Sequence, residues 1–579
     1  MLIRPRRIGG GMPAAAARPA AAAQPVAPQG TALGDTAPRR TARRGTALRD
    51  TGRLEPARRA AGTRALWAAL LLLAGMHVCS ARGWAAELRV VLEAAPLTLD
   101  PLLASDASGV RISHQLLCET LLTLGESLGI EPGLAERWER LAPTRYRFHL
   151  RPGVRFASGA ALDARDAVAT LERVLDPAAG SPYGAPLREK VRDLRVVAAG
   201  ARAPLAFDVQ LKQPYASILS DLTLPVLSRM ADAGRPPEAG RAQEAGRAPD
   251  CSGPYRLAAR SPAEIVLERA ATYHGPRPPL ERIVFKVVLD ENTRLLKFYK
   301  GDVDLGINVL PLDKLDLFAK RPLADRYRVE EGPGLSFEYL GFNLADPLLA
   351  DRRVRQAIAH AVDVAGLIRY RQRGHAVRAV SLLPPGSPEA WPGAPPAYDP
   401  ALAERLLDEA GHPRSFGTRF TLVYKTSTER SALARARIVQ GDLRRVGIAV
   451  EIRSFEWATF FDDIQKGNFQ LYALRWIGVS DPAFLAEVLL SDRLPPQGRN
   501  RGRYRNPEMD RLLRAALVES DETRRRELYR QADKLAQEDL PFLPLWHNNT
   551  VAIVSKRFAG FRLHPSGGFQ SLPFMHAAP

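Results

Sequence analysis

The sequence predicts an α/β chain with mixed sheets, folded as more than one lobe. Three observations predict it. Segments with a two-residue apolar period alternate with segments of helical period along most of the chain. A helix–Gly–strand arrangement occurs twice, in LLKFYKGDVDLGINV (295–309) and FFDDIQKGNFQLYALRW (460–476), with Gly301 and Gly467 as helix stops and strands expected from Val303 and Phe469. The chain has 579 residues, 46% hydrophobic and 25% charged, which is a globular composition with length for several domains.

The elements follow in order. Residues 1–64 carry 13 Arg against Asp35, Asp50 and Glu55, with 16 Ala, seven Pro and no aromatic residue. Such a segment buries too little apolar surface to fold, and a disordered basic leader is expected. It repeats itself, GTALGDTAPRRTARR (30–44) being followed by GTALRDTGRLEPARR (45–59). Its net charge of +10 accounts for about half of the chain's +19, so the basicity is not the signature of a nucleic-acid-binding fold. Residues 65–86 read as a secretory signal: Arg58, Arg59 and Arg64 precede the apolar run ALWAALLLLAGMHV, and small residues around Ala85 and Ala86 offer a cleavage site. Met76-His77-Val78 lacks the small residue a lipidated Cys79 requires, and Ala60-Ala61-Gly62 does not continue a twin-arginine motif. The expected location is periplasmic.

Past the signal, Leu88, Val90 and Leu92 alternate as a strand that Leu99-Asp100-Pro101 closes off. Tyr146, Phe148 and Leu150 alternate in a second strand, turned by Pro152-Gly153. Asp163 caps a helix with Val168, Leu171, Val174 and Leu175 on one face, ended by Asp176-Pro177. Between Ala231 and Asp250 the composition narrows to a Gly/Pro/Ala/Arg/Glu segment, expected as an inserted loop. Asp351 caps a helical segment with Val354, Ile358, Ala361, Val362 and Ile368 as its stripe. Asp399-Pro400 starts another helix, stopped by Gly411 and Pro413.

Local motifs for chemistry are missing. There is no HExxH, Walker loop, GxGxxG or GxSxG; Gly332-Pro333-Gly334-Leu335-Ser336 fails as a nucleophile turn because Phe337 stands where Gly is needed. His360 reads as a packed or surface histidine. No cofactor or metal is expected. An oxidising compartment permits a Cys118–Cys251 bridge without requiring one.

Several stretches together resemble bacterial extracellular solute-binding proteins of family 5, the oligopeptide/dipeptide-binding class of ABC importers. They are LTLDP (97–101), CETLLTL (118–124), EPGLAERWE (131–139), YRFHLRPGVRFASGAALDARDAVATLERVLDP (146–177), SGPYRL (252–257), KGDVDL (300–305), FNLADPLLADRRVRQAIAHAVD (342–363), YDPALAERLLDEAG (398–411), NPEMDRLL (506–513) and PFLPLW (541–546), collinear over roughly 87–579. The resemblance implies a two-lobed clamp: lobe I from 87–118, 212–310 and 545–579, a subdomain from 119–211, and lobe II from 311–544. It implies a monomeric, non-enzymatic binder that captures a small or peptide-like solute and delivers it to a membrane permease and ATPase, with no nucleic acid involved. Trp476 then matches a stacking wall, Arg475 a clamp for a carboxylate, and Asp481 the Asp-Pro that follows. Val479 stands where relatives carry an amine-pairing Asp. Ser105, Asp106 and Tyr183 match first-lobe contact positions. The competing expectation is a secreted hydrolase or peptidase with a dispersed catalytic site.

Overall fold

The computed structural model describes residues 87–198, 203–215, 217–232, 249–414 and 417–579. The basic leader, the signal at 65–86 and most of the loop expected at 231–250 lie outside the described residues.

An 11-stranded mixed sheet organises the described chain. Its strands are β1 Glu87–Leu92, β2 Tyr255–Arg260, β3 Glu264–Arg269, β4 Arg282–Val287, β5 Leu305–Ile307, β6 Tyr327–Phe342, β7 Ala376–Arg378, β8 Phe420–Ser427, β9 Ile448–Phe455, β10 Leu471–Trp476 and β11 Phe542–Ser555. The spatial order is β9-β8-β10-β6-β11-β5-β1-β4-β3-β2, with β7 also on β11. β1 is parallel to β4 and β5, and β8 is parallel to β9 and β10. The remaining pairs are antiparallel. β6 and β11, 16 and 14 residues long, run the length of both halves.

Period-two burial explains the layers. Leu88, Val90 and Leu92 of β1 pack with Phe285, Leu305, Ala552 and Val554 in one core, while Val91 enters another with Phe298, Phe318, Tyr327, Val551 and Ile553. Phe298, Phe318 and Tyr327 meet edge to face. Leu315, Phe318 and Leu323 share that core with Val91 of β1. The second half has two cores of its own, one under the helices Arg352–Ala361, Pro400–Glu409 and Arg430–Arg445, the other under Trp457–Lys466, Pro507–Val518 and Glu522–Asp539. A separate four-stranded antiparallel sheet (Ala135–Ala142, Arg145–Leu150, Ala206–Leu211, Val191–Val197) packs beneath the helix Ala164–Leu175. Its core reaches from Leu102 to Val226.

The caps read from the sequence form. Asp163 accepts from the Arg165 amide and completes a capping box with Asp166. Asp351 and Asp399 cap their helices, and Gly301 and Gly467 adopt φ of 76° and 81° as helix stops. The strands after those glycines begin at Leu305 and Leu471, two residues later than expected. The stripe 354–368 is two helices, because Asp363 caps a new one, Val364–Arg371, through the Gly366 amide.

Cys118 and Cys251 form a disulfide inside the first core, closing a sequence separation of 133 residues. The non-reduced protein is expected to take up no thiol reagent at these positions. The double Cys118→Ser/Cys251→Ser variant should lose about 2–5 kcal/mol in urea unfolding; equal stability with and without reductant would contradict the crosslink.

Two histidines, His547 buried and His114 partly so, set an acid response. His114 donates from Nε2 to the Pro101 carbonyl and His547 to that of Ser381, while His547 Nδ1 has no partner; burial holds both pKa values down to about 4. Both are neutral in the fold but protonate near 6.5 when unfolded, so each removes about 2–3 kcal/mol of stability as pH falls from 6.5 toward 4. Asp533, pushed up to about 6 by burial, acts oppositely over 6 to 3.8 and offsets about one of them. Urea unfolding at pH 7 and pH 4.5 should show a net loss that His547→Gln largely removes.

Candidate functional site

The register brings two sets of strand ends to one place. Ile307, the last residue of β5, lies opposite Ala552, which lies opposite Glu330. Trp476, the last residue of β10, lies opposite Phe337. β5 runs in the sense of β6, and β10 runs against it. The carboxyl ends of β1, β4 and β5 therefore approach from one side, and those of β8, β9 and β10 from the other, with Glu331–Ser336 of β6 between them. Ligands of open α/β sheets sit outside the carboxyl ends of parallel strands.

The sequence breaks the ladder at this interval. Pro333 pairs with Asn549 but Ser336 pairs with Asn548, so Gly334 and Leu335 are extra residues in a bulge. Pro333 offers no amide, and Gly334 leaves room for the approach of Thr550 Oγ1 and the Asn548 carbonyl, which a Cβ would meet at 2.7 and 2.8 Å. The Leu335 carbonyl, released from the ladder, accepts from the Val479 amide at 3.1 Å and ties the loop after β10 to the bulge.

A cavity of about 330 Å³ opens there. Asn308–Leu310 line it from the end of β5, Gly334–Ser336 from the bulge, Asn548–Val551 from β11 and Arg475 from β10. Its polar lining is amide and hydroxyl, with Arg475 as the one charged side chain. The guanidinium is half-exposed and lies 3.8 Å from the carboxylate of the buried Glu338, whose other oxygen takes Arg435 at 3.2 Å. Glu338 thus anchors two arginines and leaves donors of Arg475 facing the cavity.

Arg294, buried, and Arg378, partly buried, fix the cavity's frame through carbonyls. Arg294 donates to Val288, Leu289 and Val309, lacing the ends of β4 and β5 together. Arg378 donates to Pro544 and Leu545, and burial lowers its pKa to about 10. In the loop after β1, Asp106 accepts from the amides of Gly109 and Leu97, and so caps the helix Ala107–Ile112. Tyr183 donates its hydroxyl to the Ala104 carbonyl at 2.6 Å, and burial pushes its pKa up to about 12.

The expected site residues are placed as follows. Arg475 lines the cavity. Trp476, its neighbour along the strand, faces the second-half core, stacked on Tyr339 at 6.0 Å and covered by Arg501 at 4.0 Å. Val479 is buried and joined to Leu335 through its amide. Asp481 accepts from the Ala483 amide at 2.8 Å, in the turn ahead of the helix Phe484–Leu489. Ser105 is exposed beside Asp106, and both share one loop with the carbonyl that holds Tyr183. Asp221 pairs with Lys190 at 2.6 Å in the small-sheet unit, and burial raises its pKa. Asn308, Ser336, Gln372, Asn548 and Asn549 were not anticipated. The Pro and Gly inside an otherwise strand-like run at 327–342 were the available signal for the bulge. Among the described residues no group of three or more His, Cys, Asp or Glu is arranged to hold a metal, and no helix is long and apolar enough to cross a membrane.

Residues 129–493 match the family described as bacterial extracellular solute-binding proteins, family 5. The chain is 29% identical to a probable di/tripeptide-binding protein of Pseudomonas aeruginosa, over 83% of this chain and 94% of that one. It is 28% identical to heme-binding protein A of Haemophilus influenzae, over 82% and 89%. The fold matches HbpA2 from Haemophilus parasuis with a TM-score of 0.76 at 23% identity, covering 85% of this chain and all of that one.

Gly334→Val should lower stability by about 1–3 kcal/mol, since the new side chain meets the backbone carbonyl of Asn548. Gly332→Ala, with nothing within 4 Å of its Cβ, should be near neutral in the same thermal unfolding assay; equal effects at the two positions would refute the tight bulge.

Proposed function

Because this chain belongs to the bacterial extracellular solute-binding proteins of family 5, we propose that the cavity at the β6–β11 bulge holds its solute and that Arg475 grips a carboxylate of that solute. The chain is the solute-binding component of an ABC importer, and the resemblance to binding proteins leaves the hydrolase reading without support. The observation that carries the proposal is a half-exposed guanidinium, held only at 3.8 Å by Glu338, in a cavity whose other polar groups are neutral. A planar guanidinium suits a carboxylate through paired, charge-assisted hydrogen bonds.

The solute class follows from the lining. No Asp or Glu lines the cavity, and the position of an amine-pairing acid is the buried Val479. A buried ammonium with no counter-charge costs several kcal/mol. The favoured solute is therefore peptide-like, with a free carboxyl end and no requirement for a free α-amine; one relative is itself described as a di/tripeptide-binding protein. Ser105, Asp106 and Tyr183 do not line this cavity.

Binding is coupled to closure. β6 and β11 cross between the halves, and we place the crossings in them, near 331–336 and 548–550, because Leu315, Phe318 and Leu323 pack with β1 rather than with β10. Lobe I then takes in residues beyond 310, and the small-sheet unit runs to about Val226. A solute bridging Asn308 and Arg475 touches both halves, so its binding energy favours the closed form. Export by the segment 65–86 delivers the chain to the periplasm, where the closed form meets its permease and ATPase.

Arg475→Ala should weaken binding of a carboxylate-bearing peptide about 10- to 100-fold, with the melting temperature of the free protein unchanged. N-acetylated and free-amine forms of one peptide should bind alike. Small-angle scattering should show compaction on binding. A bound solute that is indifferent to Arg475, or a free amine that improves affinity, would overturn the assignment.

A further inference from the structure

Two turns from different halves meet at the rim of the cavity. The helix Leu312–Leu315 and the helical turn Asp316–Ala319 come after β5, and Leu315 and Phe318 pack in the core that holds Val91 of β1. On the other side, the helix Val364–Arg371 sits on a second-half core through Val364 and Leu367, and residues 372–375 lead from it into β7. Leu315 and Gln372 both line the cavity. Their immediate successors, Asp316 and Arg373, form an ion pair. A single bond thus joins the two walls at residues next to the lining.

The turn at 372–375 is bent to make that reach. Arg373 and Gly374 have φ of 51° and 85°, two left-handed residues in succession. Glycine enters that region freely, whereas for an arginine it is a strained conformation that the surroundings must hold. They do so through the crossing strands. His375 Nδ1 lies 2.8 Å from one carboxylate oxygen of Glu331, and the other oxygen accepts from Asn549 Nδ2. The Asn549 amide donates to the His375 carbonyl at 3.3 Å. Glu331 belongs to β6 and Asn549 to β11, so the turn is tied to both strands beside the bulge, and Arg373 reaches on to the first half. Its guanidinium holds the Asp316 carboxyl below the usual carboxylate range.

Both side chains of the pair are about half exposed, and an exposed ion pair adds little to the stability of a fold. Its weight is greater in a balance between two arrangements of the halves. Such arrangements differ by little in free energy, so a bond made in only one of them shifts the populations several-fold. In the arrangement described here the pair is formed and one cavity is walled by both halves, with residues 308–310 on one side and Gln372 and Arg475 on the other.

We propose that Asp316 and Arg373 are a latch, a positioning pair that holds the two walls together over a bound solute and slows its release. The pair contacts no solute and acts through its neighbours Leu315 and Gln372. The proposal rests on the reading that this cavity holds the solute between halves that swing.

The probes are trialanine and N-acetyl-trialanine, with affinity measured by calorimetry and release by stopped flow on the purified protein. Arg373→Asp and Asp316→Arg each set like charges against each other and should weaken binding about three- to tenfold, with release faster by the same factor. The double variant Asp316→Arg/Arg373→Asp restores the pair with its charges exchanged, and should bind within about twofold of the parent. Melting temperatures without probe should stay near that of the parent in all three. Rescue by exchange is the readout that a merely structural role would not give. Single reversals that bind as the parent does, or an exchanged pair as weak as the single reversals, would refute the latch. Arg475→Ala is measured alongside: if it weakens binding and the single reversals do not, the latch falls and the solute site stands. If the parent binds neither probe, or if binding is indifferent to Arg475, the solute site falls and the latch falls with it.

Discussion

The hydrogen-bonded pairing of β6 with β11 is the constraint on which the rest depends. Two long antiparallel strands carry the backbone through both halves, and their register decides which strand ends meet. Because β5 joins one end of the pair and β10 the other, running in opposite senses, the free ends of two parallel sets converge on one short interval. A slip of one residue would turn every side chain of these strands to the wrong face. The bulge at Gly334 and Leu335 thus falls where the ladder must open, and a second register shift follows it between Glu338 and Tyr339.

Polar groups near that interval are held mainly by backbone. Arg294 and Arg378 spend their donors on carbonyl oxygens at strand ends, and Asp106 spends its acceptors on amides. Such bonds fix loops through the backbone and leave the charge of each arginine in place. Arg475 is treated differently. Its contact with Glu338 is long, and Glu338 is shared with Arg435, which leaves the cation exposed to an incoming anion. Rigid neutral walls with one available charge make a site that orients a guest as well as holding it.

Much of this was legible from residue order, and the gaps have physical causes. Asp163, Asp351 and Asp399 were readable as caps because a short acceptor before an apolar stripe has few other uses. Gly301 and Gly467 were readable as stops because the left-handed turn favours glycine. The break at Asp363 was hidden, since Val362 and Ile368 continue the apolar stripe across it, and only the side-chain bond to the Gly366 amide reveals a new start. The bulge was masked by its own composition: Gly-Pro-Gly-Leu-Ser invites comparison with a nucleophile turn. The packing of Leu315 and Phe318 on the first half is a long-range outcome that no local pattern encodes. Cavity residues such as Asn308, Asn548 and Asn549 carry no motif, and they become neighbours only through the sheet.

Arg475 and Trp476 sit side by side in sequence and on opposite sides of β10. One faces the hollow; the other is clamped between Tyr339 and Arg501. Strand geometry thereby uncouples two kinds of evolutionary freedom. On the proposed role of Arg475, the outward position can exchange its chemistry, and with it the solute taken, while the inward position keeps the scaffold in shape.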